Sequence, residues 1–248
     1  MSGPWVFAAD SSYDELTDEE AQRLKAAGCK LFIQCTWTGH ARPAVALDNL
    51  IIAHRNGLAI AIYFSLNGDS NTGSWHADSG TNGISDEIWE ALKFAAVDVE
   101  LPNIYHQTIR EACEFVRGYG KKPVVYTSYN AWRNYVIPPN PPAPRWYDGV
   151  AELWNAYWDQ NPDVDFASLP FGDWTPDEVI MEQWSGGTYV EGQYVDRNTL
   201  DASKLPGLLA PIPLPPAPEP EPGPPPGVTI EEARTAWSVV GDFLGGSV

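Results

Sequence analysis

Apolar and polar positions alternate between two periods along the first half of the chain. Trp5 to Ala9 is a short apolar run ending at Asp10, which reads as a strand. Thr17 with Glu20 forms a capping-box pattern ahead of a helix that stops near Gly28. Lys30 to Thr36 (KLFIQCT) reads as a second strand, and Val45 to Asn56 as a helix with Leu47, Leu50 and Ile51 on its apolar side and Gly57 as its stop. Leu58 to Ser65 (LAIAIYFS) is apolar nearly throughout, as expected for a parallel strand covered by helices. A Gly/Ser/Asn/Asp-rich stretch, Asn67 to Gly83, reads as a long loop and a lip for a cleft. A helix near Ile84 to Lys93, a strand Phe94 to Leu101 (FAAVDVEL), an amphipathic helix Ile104 to Gly118 and a strand Pro123 to Thr127 follow.

Beyond that point the helical signal thins. Leu153 to Tyr157, Val179 to Trp184 and Gln193 to Val195 read as strands joined by Pro-, Asn- and Gly-rich loops. The predicted architecture is an α/β, irregular TIM-like barrel of five βα units followed by three strands, spanning residues 1–205. From Pro206 the composition changes to PLPPAPEPEPGPPPG, which cannot bury apolar surface, and residues 206–228 read as an extended Pro-rich linker. Residues 229–248 read as a short C-terminal amphipathic helix with Ile230, Ala233, Trp237, Val240 and Leu244 on one stripe, suited to self-association or attachment to an assembly.

Composition narrows the partners. A net charge of -18 over 248 residues opposes contact with nucleic-acid phosphates, so no nucleic-acid partner is expected. The same charge repels an anionic bacterial wall, so affinity for such a polymer has to come from contacts inside a cleft. No run of about 18 apolar residues suggests a membrane span. The segment MSGPWVFAADSS lacks the basic region and apolar stretch of a signal peptide, and the expectation is a chain made without one. Cys29, Cys35 and Cys113 fall in apolar stretches and read as reduced core residues.

The sharpest chemical signal is Asp98-Val99-Glu100 in an otherwise apolar run. Alternate residues of a strand share a face, so both carboxylates point into the barrel if Val97 and Val99 face the helices. Burying two acids is costly without a use. An acid pressed against apolar walls beside a like charge has its pKa raised, and can donate a proton to a leaving glycosidic oxygen near neutral pH. Asp10 also ends a predicted strand and would share that rim, and Asp196 in YVDRN sits at the end of the last strand, adjacent to the first once a barrel closes. Tyr63, Tyr126, Trp154 and Trp184, with Trp37 extending them, supply the aromatic faces on which the C–H faces of sugar rings stack.

Taken in order, Asp10 after an opening strand, IYFS, AVDVE, KPVVYTSYNAW, ELWNAYWDQNP, and EQWS followed by VEGQYVDRN resemble the family 25 glycoside hydrolases, lysozymes of the Chalaropsis type, over roughly Trp5 to Leu200. The resemblance implies a muramidase that cleaves the β-1,4 bond between N-acetylmuramic acid and N-acetylglucosamine in bacterial cell-wall glycan, without cofactor or metal. It implies Glu100 as proton donor, Asp98 as its acidic partner, and Asp10 and Asp196 as the remaining acids of the cleft. It also raises participation by the substrate's own acetamido group. Thr36-Trp37-Thr38-Gly39-His40 stands where the family usually has a Glu-Gly pair, and Phe64 where it has a His, so substrate range departs more than the acid chemistry. A phage lysin or virion component would reach a wall without a signal peptide.

Other chemistries find little support. His40, His54, His76 and His106 have no metal-ligand spacing, no GxSxG marks a serine nucleophile, and no GxGxxG or GxxxxGK[ST] marks a nucleotide site. The alternative of a different class is a non-catalytic glycan-binding or structural virion protein on the same barrel.

Overall fold

A computed structural model describes residues 5–138, 150–164, 171–172 and 174–205. The Pro-rich stretch 206–228 and the C-terminal segment 229–248 lie outside the described residues.

The elements run β1 (Trp5–Ser11), α1 (Asp18–Ala26), β2 (Cys29–Trp37), α2 (Ala46–Arg55), β3 (Ala59–Ser65), α3 (Gly73–Thr81), α4 (Asp86–Ala91), β4 (Leu92–Asp98), β5 (Ile104–Tyr105), α5 (His106–Gly118), β6 (Pro123–Thr127), α6 (Tyr129–Tyr135), β7 (Val136–Ile137), β8 (Glu152–Ala156), β9 (Val179–Val190) and β10 (Gln193–Asp201). Eight of the strands close a barrel in the order β1-β10-β9-β8-β6-β4-β3-β2, and β5 and β7 form a separate short pair. Neighbouring barrel strands are parallel except at β10, which runs antiparallel to both β9 and β1.

Local chemistry explains most of these boundaries. Thr17 caps α1 by accepting from the Glu20 N–H, and the Glu20 carboxylate accepts from the Thr17 N–H in return. Ser85 and Ser128 cap α4 and α6 without the return bond, each accepting from the backbone N–H three residues on. Helix α3 is the main departure from the sequence pattern, since it lies inside the stretch Asn67 to Gly83 that reads as loop. Its glycines serve close packing: a Cβ on Gly73 would fall 1.8 Å from the Thr108 carbonyl on α5, and one on Gly80 would fall 2.6 Å from the Phe64 side chain. Thr72 supplies its cap.

Two apolar layers result. Ala8, Ile33, Ala61, Phe94, Ala96, Val124, Ile180 and Leu200 fill the barrel, while Phe32, Ile60, Ile62, Val97, Val99, Val125 and Leu153 pack outward under the helices. Cys29, Cys35 and Cys113 are buried free thiols, and burial pushes each up to about 12, so they pack as small apolar groups. No helix among the described residues is long and apolar enough to cross a membrane.

The loop after β1 is tied down from inside. Fully buried Asn49 on α2 accepts from the Leu16 N–H at 2.8 Å, and its amide donates to the Asp14 carbonyl and to Gln34 Oε1, each at 2.8 Å. Gln34 in turn donates to the Ser12 carbonyl at 3.0 Å. Asn49→Ala leaves the Leu16 N–H and Gln34 Oε1 buried and unpaired, and is expected to lower unfolding free energy by about 2 kcal/mol or more in urea titration.

Candidate active site

The reversal of β10 decides which of its residues reach the C-terminal rim of the parallel strands. Because it runs downward, its early residues lie there, and Asp196 comes directly opposite Asp10 in register. The sequence reading places Asp196 at the end of the last strand; it sits instead near the start of a longer strand whose direction is inverted, and arrives at the same rim for that reason.

Asp98 closes β4, in register with Ser65 on β3 and Tyr126 on β6. Val97 and Val99 pack outward, so Asp98 points into the barrel mouth. Glu100 lies two residues on, just past the strand. Backbone pairing continues beyond the strand end: Leu66 N–H donates to Asp98 O at 3.0 Å, Val99 N–H to Tyr126 O at 2.9 Å, and the Thr127 hydroxyl to Val99 O at 2.8 Å. The loop carrying Glu100 is therefore anchored on both sides.

Two buried amides hold the acids of the opposite wall. Asn198 accepts from the Trp154 indole N–H at 2.8 Å, and an indole can only donate, so the amide nitrogen must face the other way. That nitrogen donates to Asp10 Oδ2 at 2.7 Å. Gln183, opposite Asn198 in register, repeats the arrangement. Its Oε1 accepts from the Trp158 indole at 2.7 Å and the Tyr126 hydroxyl at 2.8 Å, and its Nε2 donates to Asp10 Oδ2 at 3.0 Å and to Asp196 Oδ2 at 3.3 Å. Asp196 Oδ1 accepts from the Gly187 N–H.

Four acids in one mouth cannot all ionise freely. Burial, then the Asp196 charge, pushes Asp10 up to about 7, against the lowering effect of its two amide donors. Burial pushes Asp98 up to about 6, opposed by the Ser65 hydroxyl that donates to it at 2.5 Å; its other oxygen is buried without a partner. Asp196 is raised by burial, less the Gly187 hydrogen bond. Glu100 is exposed at the rim, but the shielding of its carboxyl and then the charges of Asp98, Asp10 and Asp196 push it up to about 8. It is thus the acid of the four held highest, with Asp98 more readily ionised.

No family model matches the chain, and no curated protein matches it significantly in sequence. Solved structures do match. The lysozyme of Streptomyces coelicolor aligns with a TM-score of 0.61 at 17% identity, covering 84% of this chain and 97% of that one. A family 25 lysozyme from Aspergillus fumigatus gives 0.62 at 18%, covering 82% and 98%. The CTP1L endolysin gives 0.57 at 18%, covering 82% and 69%. The chain shares its fold with these lysozymes.

Within that barrel, the aromatic residues singled out from sequence separate. Tyr63 and Tyr126 lie at the floor of the acidic mouth, each under 10% exposed, with ring centroids 6.5 Å apart; the Tyr63 hydroxyl meets Ser12 Oγ at 2.6 Å. Trp154 is only 1% exposed, so it has no free face for a sugar and acts by fixing Asn198. Trp37 does not reach the mouth. A bulge after Cys35 turns it to the outer layer, where its ring meets Trp75 edge-on at 5.7 Å and its indole N–H donates to His76. Trp184 alternates with inward-facing Gln183 and lies on the outer face beside Arg197, lining a groove of about 440 Å³ with Trp5 and Phe7.

No motif in the sequence singles out Gln183, Asn198, Ser65 and Trp158 as site residues. The first three are signalled only as polar residues at inward positions of apolar strands. Trp158, 61% exposed and hydrogen-bonded to Gln183, presents the free indole face that Trp154 lacks. One further carboxylate trio, Asp159, Asp163 and Glu182, brings oxygens within 4.8 Å of one another among the described residues. It lies on the face opposite Gln183, and acid clusters are ordinary on a chain of charge -18.

The rim also depends on a glycine. A Cβ on Gly68 would fall 2.4 Å from the Pro102 carbonyl and 2.8 Å from Asn103 Cβ, in the loop that carries Glu100. Gly68→Ala must push that backbone and displace Glu100 from the mouth, and any turnover at this site is expected to fall about tenfold or more, with a smaller effect on the thermal midpoint.

Proposed function

We propose that this barrel is a muramidase, hydrolysing the β-1,4 bond between N-acetylmuramic acid and N-acetylglucosamine of peptidoglycan by carboxylate acid/base catalysis. One observation carries the reading: Asp10, Asp98, Glu100 and Asp196, from three strands distant in sequence and the loop after one of them, converge on one mouth with Gln183 tying Asp10 to Asp196. Negative charge held beside an acid that keeps its proton is what glycosidic cleavage requires.

In this mechanism Glu100 gives its proton to the glycosidic oxygen as the bond to the anomeric carbon breaks and its electron pair leaves with that oxygen. Ionised Asp98, with the charge shared by Asp10 and Asp196, stabilises the oxocarbenium-like transition state. Water completes the reaction at the anomeric carbon and returns a proton to the cluster. Tyr63 and Tyr126 close the floor, and Trp158 offers the stacking face at the rim. Asn198 and Gln183 are positioning residues, since they act through the acids they hold.

The reading places the action at the bacterial cell wall, in the manner of a phage lysin or virion component, and the similarity to an endolysin structure supports it. Release of reducing sugar from purified bacterial walls tests the enzyme. Turnover by the intact chain is expected; binding without turnover on walls of several chemotypes would replace the enzyme with a glycan-binding protein.

A further inference from the structure

Strands β9 and β10 continue past the barrel as a hairpin, and its two faces differ. Val190 and Val195 pack into the outer apolar layer. On the other face Tyr189 and Tyr194 are direct cross-strand partners, 72% and 41% exposed, with ring centroids 5.1 Å apart and planes tilted by 59°. Two large aromatic rings side by side in water form an apolar patch that calls for a partner more than any scattered surface residue does.

The patch is continuous with the acidic mouth. Tyr194 lies over Gly187, where a Cβ would fall 2.6 Å from the tyrosine hydroxyl, and the Gly187 N–H is the donor to Asp196 Oδ1. The preceding Gly186 carries the Trp158 ring, since a Cβ there would fall 2.6 Å from Trp158 Cζ2. Consecutive glycines thus admit aromatic rings to both positions beside Asp196. Trp158, Tyr194 and Tyr189 form a run of exposed rings leading from the acids over the rim.

We propose that Tyr189 and Tyr194 form an outer subsite that stacks an N-acetylhexosamine ring of a long glycan strand beyond the acidic mouth. The inference rests on the muramidase reading for the identity of the glycan. Each tyrosine offers an apolar face to the C–H surface of a sugar and a hydroxyl at its edge for a sugar hydroxyl or acetamido group. The charge of the chain favours this chemistry: at -18, contacts with an anionic wall polymer gain from being uncharged. A second ring-binding site along the same strand also raises affinity for long glycans over short ones, because the second contact is intramolecular.

The test compares affinity of the full chain for long, peptide-free glycan strands with its affinity for chitotriose. Y189A/Y194A is expected to bind the long strands about tenfold more weakly than wild type and to lose most of the preference for length. Y189F/Y194F, which keeps both ring faces, is expected to retain most of that preference, and Tyr105→Ala, an exposed tyrosine on β5, to retain all of it. Should the double alanine variant fail to fold, Tyr189→Ser alone carries the same expectation at about threefold. Long-strand affinity equal to wild type in the alanine or serine variants overturns the subsite. A wild type that prefers long strands but releases no reducing sugar keeps the subsite and sinks the hydrolase reading, so the two failures are distinct.

Discussion

Glu100→Gln is expected to lower kcat on bacterial walls by at least about 10²-fold, the usual contribution of a general acid, while leaving KM within a few-fold. The substitution keeps size and hydrogen-bonding capacity and removes only the proton that can be donated. Glu100 qualifies for the role by its surroundings: it stands at the open rim where a glycosidic oxygen can reach it, and shielding plus three neighbouring acids hold it up to about 8. Glutamine also needs no proton taken up on folding, which Glu100 does above its unfolded value of 4.5, so at neutral pH folding is expected to be intact or slightly firmer by thermal unfolding. Activity retained in this variant would assign proton donation to another acid.

Asp10→Asn is expected to cut kcat by about 10²-fold or more, as loss of a fixed transition-state charge does, and to change two pH dependences in directions the structure fixes. Asparagine can still accept from Asn198 and Gln183 through its oxygen, so the hydrogen-bond frame persists without the charge. The Asp10 charge is one of those raising Glu100, so the alkaline limb of kcat/KM, where Glu100 loses its proton, is expected to move down from about 8. Stability moves the other way. The folded-state pKa of Asp10 is raised from 3.8 to about 7, so its favourable contribution is complete below the unfolded value and lost as pH rises through the folded one. The variant is therefore expected to melt about 2 °C or more above wild type at pH 8, with that gain gone at pH 4. A wild type as stable as the variant at pH 8 would mean that Asp10 is not strained in the way its burial requires.

The barrel was legible in the sequence because period and punctuation agree: apolar runs at β1, β2, β3, β4 and β6 alternate with capped helices such as α1, whose Thr17–Glu20 box is visible in the letters. Helix α3 was hidden because Gly73 and Gly80, which permit its close packing, carry the same local signal as a loop. Short α6 is hidden because its seven residues span too little of a helical period to stand out. At the site, Asp98 and Glu100 were legible from period-two spacing, and Asp10 from its strand end. Asp196 reached its place through an inverted strand, which no spacing along the chain encodes. Trp154, Trp184 and Trp37 misled for one reason: composition marks a tryptophan as a candidate platform, but only packing decides whether its face is free. Burial removed the first, strand alternation the second, and a bulge the third. Gln183 and Asn198 are not legible because a neutral amide carries no chemical signal until its partners are known.

Analysis of the reducing ends tests the account most directly. Purified walls digested with the intact chain, then reduced with borohydride and hydrolysed to monosaccharides, are predicted to yield the alditol of muramic acid as the new end group. Glucosaminitol in its place, or no new reducing end at all, would contradict it.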